Sequence, residues 1–97
     1  MTSMEKKLTE NRLTEVKAAL SAKYRTVDLG GEKFLVATDA AVVRAGVFPG
    51  AMALVIEYAD TEQEARQNAL EDGDRFYLDE TTLDEMLRLM IAEIERC

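Results

Sequence analysis

The stretch Tyr24-Arg25-Thr26-Val27-Asp28-Leu29-Gly30-Gly31-Glu32-Lys33-Phe34-Leu35-Val36-Ala37 decides the fold class. Two runs rich in β-branched and aromatic residues flank a glycine pair. Glycine supplies the positive φ angles that a tight type I′ turn requires, so the stretch predicts a β-hairpin. The same glycines do not read as a phosphate loop, which needs another glycine five residues earlier and a Ser or Thr after the lysine; here Phe34 follows Lys33.

Upstream of the hairpin, Leu13, Val16 and Leu20 fall at helical spacing. Thr9 is placed as an N-cap, with Leu8 and Leu13 as the hydrophobic staple, which predicts a first helix over residues 10–23. Thr2 and Glu5 also stand at capping-box spacing and allow an earlier start that takes in Met4 and Leu8.

Downstream, Asp39 is positioned to cap a short helix over residues 40–44, stopped by Gly46 and the Phe48-Pro49-Gly50 turn. In residues 51–58, Met52, Leu54, Ile56 and Tyr58 alternate with Ala53, Val55 and Glu57, so both faces are mostly apolar and the segment reads as a central strand. Asp60 or Thr61 then caps a middle helix over residues 62–70, whose apolar surface is Ala65, Ala69 and Leu70, with Gly73 as its stop. Residues 75–78 form a short edge strand. The last helix opens on the capping-box pair Thr82 and Glu85 and carries the strongest period in the chain: Leu83, Met86, Leu87, Met90, Ile91 and Ile94. That stripe is buried against the domain's own sheet or, alternatively, against a second copy, with Leu89 widening it. The expected fold is one α+β domain over residues 1–97. It has a mixed or antiparallel sheet of three or four strands, an N-terminal helix, a middle helix and a C-terminal amphipathic helix. The unit 51–78 is read as a βαβ crossover, right-handed if its strands are parallel neighbours.

Composition narrows the chemistry. The 97 residues include 12 basic and 19 acidic side chains and no histidine, for a net charge of −7. Such a chain lacks the basic footprint that neutralises nucleic-acid phosphates or binds anionic membrane, so neither is an expected partner. One cysteine, Cys97, permits no intrachain disulfide and, without histidine, no zinc site; a reducing cytoplasm is the expected compartment. The N-terminal residues are charged where a signal peptide would be apolar. Residues 40–56 approach the length of a membrane span, but Arg44, Gly46, Pro49 and Gly50 interrupt them and they read as core. General acid–base work most often uses histidine, Ser3 and Ser21 have no base partner that the sequence can name, and Cys97 sits at a chain end near Glu93 and Glu95; no catalytic residue, metal or cofactor is assigned. The acids Glu71, Asp72, Asp74, Asp79 and Glu80 invite a calcium reading. With Gly73 at the sixth loop position, however, the third ligand would be Leu70, which cannot ligate.

Charge divides unevenly along the chain. Residues 1–48 carry eight basic and six acidic side chains, whereas residues 49–97 carry four and thirteen, a local net of −9. The plain reading is solvated helix faces; the functional one is an acidic surface that steers a basic protein partner. On the second reading the partner-binding residues are Glu62, Glu64, Glu71, Asp72, Asp74 and Asp79. If the acids only solvate, the sparsely charged Val42, Val43, Val47 and Phe48 become the place to look for an exposed apolar face.

From Tyr58-Ala59-Asp60-Thr61-Glu62 through Ala65 to Asp72-Gly73-Asp74 and Leu83-Asp84-Glu85-Met86-Leu87, the order and acidic character resemble those of compact bacterial immunity proteins. The resemblance covers roughly the C-terminal half and has no diagnostic motif, so no family residue transfers. It implies a non-enzymatic inhibitor that neutralises a toxin by binding it. A structural or accessory homodimer, joined through the last helix or a sheet edge, is the alternative, and a small-ligand or metal-dependent enzyme is the third class.

Overall fold

A computed structural model of the chain describes residues 3–30, 32–39, 41–48, 50–67 and 73–96. Helix α1 (Ser3–Ser21) leads into β1 (Arg25–Gly30), β2 (Lys33–Ala37), β3 (Val42–Val47) and β4 (Ala53–Ala59), followed by the short α2 (Glu62–Gln67), β5 (Asp74–Tyr77) and α3 (Leu83–Glu95). The five strands form one antiparallel sheet in chain order, β1-β2-β3-β4-β5. The architecture is the expected α+β arrangement with helices near both ends, with one strand more than the sequence predicts.

The extra strand is β3, where the sequence suggests a short helix. Thr38 and Ala41 close a turn through two hydrogen bonds, Thr38 N–H to the Ala41 carbonyl (2.9 Å) and Ala41 N–H to Thr38 Oγ1 (3.0 Å). Asp39 therefore sits at a hairpin tip and caps nothing. The valines of β3 are β-branched, and the strand is paired on both sides, to β2 and β4. Val43, Arg44 and Ala45 are buried, so residues 42–48 are sheet interior and not an exposed apolar face.

α1 starts earlier than its Thr9 cap would place it. Thr9 lies within the helix on the buried stripe Thr9, Leu13, Val16 and Leu20, and its hydroxyl donates to the Glu5 carbonyl (2.8 Å), so a polar side chain occupies a core position without an unmet hydrogen bond. Leu8 is 48% exposed and makes no staple.

The predicted hairpin forms, with Arg25 opposite Ala37 and Asp28 opposite Phe34. Its register slips between Asp28 and Gly30, and positive φ falls at Gly30 (+71°) and Glu32 (+64°). Residues 51–58 are confirmed as an interior strand: Ala53, Leu54, Val55 and Ile56 are all buried. The β4–β5 pair is antiparallel, which removes the parallel crossover. Gly73 has a reason other than stopping a helix. A Cβ there would lie 2.1 Å from the Ile56 carbonyl oxygen, so only glycine lets the chain pass this close to β4.

One sheet face presents Phe34, Val36, Val43, Ala45, Leu54 and Ile56 to α1 and α3, which contribute Leu13, Val16, Leu20, Met86, Met90 and Ile94 to the same core. The α3 stripe is thus used inside the domain, and Thr82 caps the helix, its hydroxyl accepting from Glu85 N–H (3.2 Å). On the opposite face α2 lies over β2, β3 and β4 and buries Ala65. None of the helices among the described residues is long and apolar enough to cross a membrane.

Candidate functional site: acids and clefts

The fold assigns different tasks to the acids. In the N-terminal region they are largely tied down. Asp28 accepts from Gly30 N–H (2.9 Å) and pairs with Lys17 (3.0 Å), and the backbone donor first, then the ammonium, hold its carboxyl below the usual range. Lys6 stands between Glu10 (3.9 Å) and Glu32 (4.0 Å); Glu10 beside Glu32 raises the latter's carboxyl above its ordinary value.

Of the predicted partner-binding residues, Glu62 is in the first turn of α2 but is held by Arg25 of β1 at 2.6 Å, and that guanidinium lowers its carboxyl. Glu64 follows in the same turn and donates its N–H to Thr61 Oγ1 (3.1 Å), which confirms Thr61 as the cap. Asp74 is exposed at the start of the edge strand β5, opposite Ile56. Asp79 is exposed in the turn after Tyr77, which pairs with Ala53. The strand between them spans about 10 Å, at some 3.3 Å per residue, so these acids fall into two groups and not one patch. Glu71 and Asp72 lie outside the described residues. Asp79 is instead joined by Glu80, Asp84 and Glu85, all exposed around the start of α3. None of the ion pairs formed among the described residues engages Asp74, Asp79, Glu80, Asp84 or Glu85. The turn that carries Asp79 and Glu80 is fixed by Glu80 N–H (3.1 Å) and Thr81 N–H (2.9 Å) on the Tyr77 carbonyl, and Arg12 of α1 reaches the Thr81 carbonyl at 2.9 Å. The acids therefore stand on a braced scaffold.

A feature the linear sequence does not reveal is the buried Arg44. It is 2% exposed, and its guanidinium pairs with Glu57 across the β3–β4 register (2.5 Å) and donates to the Ala65 carbonyl of α2 (2.7 Å). A six-residue helix with one buried alanine has little apolar surface to hold it, so this contact, with Arg25–Glu62, ties α2 to the sheet.

Three clefts open on the surface. One, of about 330 Å³, is lined by Leu8, Asn11, Arg12, Glu15, Met52, Leu78 and Asp79. A second, of about 310 Å³, lies between α1 and the hairpin and contains Glu10, Lys17, Asp28, Glu32 and Lys33. The third, of about 400 Å³, is lined by Thr38, Asp39, Ala41, Val42, Tyr58, Ala59 and Asp60. The first two mix acidic and basic side chains; the third has aspartates alone among its charged lining. Among the described residues, no group of three or more Asp, Glu, Cys or His side chains is arranged to hold a metal ion.

Comparison with protein-family models, with curated proteins and with solved structures finds no match to this chain.

Proposed function

We propose that the chain is a protein-binding module whose exposed acids, from β5 to the first turn of α3, steer a basic protein partner. The observation that carries this reading is the set Asp74, Asp79, Glu80, Asp84 and Glu85, exposed and outside the ion pairs among the described residues. Asp84 and Glu85 also favour the helix start through its dipole, but Asp74, Asp79 and Glu80 do nothing comparable for the fold. Unneutralised acids of one sign raise the local concentration of a cationic partner and speed encounter. A toxin-neutralising inhibitor is the most specific form of this reading, supported by the resemblance of the C-terminal half to immunity proteins.

Two baits test it: the wild-type chain and the variant Asp74→Lys, Asp79→Lys, Glu80→Lys, immobilised in parallel and exposed to lysate of the source cell. The proposal expects a basic protein retained by the first and lost from the second. Identical retention by both baits contradicts it. Sedimentation of the pure chain separates the homodimer alternative, in which the partner is a second copy.

A further inference from the structure

Among the three clefts, the one at the β2–β3 hairpin tip differs in kind. Its floor is Ala41, Val42 and Ala59, its wall is Tyr58, and Asp39 and Asp60 supply its charge. Val42 and Ala59 are register partners on β3 and β4, so the floor is rigid sheet. Tyr58 is 46% exposed, and its hydroxyl donates to the Glu93 backbone carbonyl and lies 3.0 Å from Glu93 Oε2, which fixes the ring against α3. Asp39 and Asp60 are both exposed and take part in none of the ion pairs among the described residues. The other two clefts already contain cations of their own, Arg12 in one and Lys17 and Lys33 in the other.

The geometry points to this cleft as the seat of one arginine side chain of the basic partner. A guanidinium is planar, stacks on an aromatic ring and donates from several edges at once, so it can serve a tyrosine wall and two carboxylates together, while its methylene stem lies on the alanine and valine floor. A lysine ammonium has no plane to stack. The inference rests on the reading of the chain as a binder of basic protein, and adds the anchor to the steering surface: the β5–α3 acids govern approach, and this cleft holds one residue at contact.

The test is an amide-resolved NMR titration of the full chain with N-acetyl-arginine amide and, in parallel, with its neutral ureido counterpart, N-acetyl-citrulline amide. Arginine amide is expected to shift the amides of Thr38, Asp39, Val42 and Asp60, and citrulline amide to leave them in place. Asp39→Asn with Asp60→Asn should weaken arginine amide about fivefold or more, on the scale of exposed charge pairs. Tyr58→Leu should weaken it as well, and the double Asp variant, whose residues lie in exposed turns, serves if loss of the Glu93 contact unfolds that chain. The triple β5–α3 lysine variant should bind arginine amide at the cleft as the wild type does. Equal shifts with both amides, or shifts confined to Asp79, Glu80 and Asp84, overturn the anchor; the second result leaves the steering surface standing. Failure of the paired baits bears on the steering reading and leaves this titration to be judged by its own shifts.

Discussion

The acids of the β1–β2 hairpin and those of the β5–α3 turn are similar in number and opposite in use. In the hairpin, Asp28 and Glu32 face Lys17 and Lys6 of α1, so the charges lock a helix to a sheet edge. Around β5 and α3, Asp74, Asp79 and Glu80 face solvent from a turn that is held by backbone bonds and by Arg12. The difference teaches that net charge along a sequence is a poor guide to function until it is known which charges the fold itself consumes. Of the C-terminal acids, Glu57, Glu62 and Glu95 are drawn back by Arg44, Arg25 and Lys23 of the N-terminal half. What remains is smaller than the −9 count, and lies at the far end of β5 from α2.

The comparison breaks most severely where a charge is placed in neither region. Met90→Asp puts a carboxylate into the shared core of α1, α3 and the sheet, where Met90 is fully buried, and should cost more than about 4 kcal/mol; loss of the cooperative thermal transition checks it. Arg44→Met should follow at about 3 kcal/mol, because it strands the Glu57 carboxylate and releases the Ala65 carbonyl. Arg44→Met with Glu57→Leu should regain much of that in urea melts, whereas an equal loss in both variants would show that the pair contributes through packing alone. Gly73→Ala should cost about 2 kcal/mol through its contact with the β4 backbone, measured in the same melts.

A smaller effect sharpens the contrast through pH. Asp28 has its carboxyl lowered by Gly30 N–H and Lys17, so its contribution to stability is present above the unfolded carboxylate range and lost as pH falls through the lowered folded value. Asp28→Asn should melt below wild type at neutral pH, and the gap should close in strong acid. The same comparison at Asp79, for which Asn should change little at either pH, separates a consumed acid from a presented one.

The amphipathic period of α3, the glycine-centred hairpin and the doubly apolar β4 were legible in the sequence because each is a local pattern. Residues 42–47 were not, because Asp39 before an Ala-Val run suits a helix start, and only pairing to strands on both sides decides for β3. The direction of β5 was equally hidden: an intervening helix suggests a parallel return, and only the register with β4 shows otherwise. At the candidate site the acid residue types were legible, while their division was not. Arg25 and Glu62 are 37 residues apart in sequence, and Asp39 and Asp60 share a cleft only because β3 and β4 lie side by side.

The claim that the β5–α3 acids steer a basic partner is tested most directly by the association rate of the captured partner as a function of ionic strength, for wild type and for the Asp74→Lys, Asp79→Lys, Glu80→Lys variant. Each substitution should alter folding stability by no more than about 0.5 kcal/mol. The account predicts a wild-type rate that falls steeply as salt rises, with the screening length dropping to about 8 Å at physiological strength, and a variant that is slow at every salt concentration. A wild-type rate that is flat with salt and equal to the variant's would contradict it.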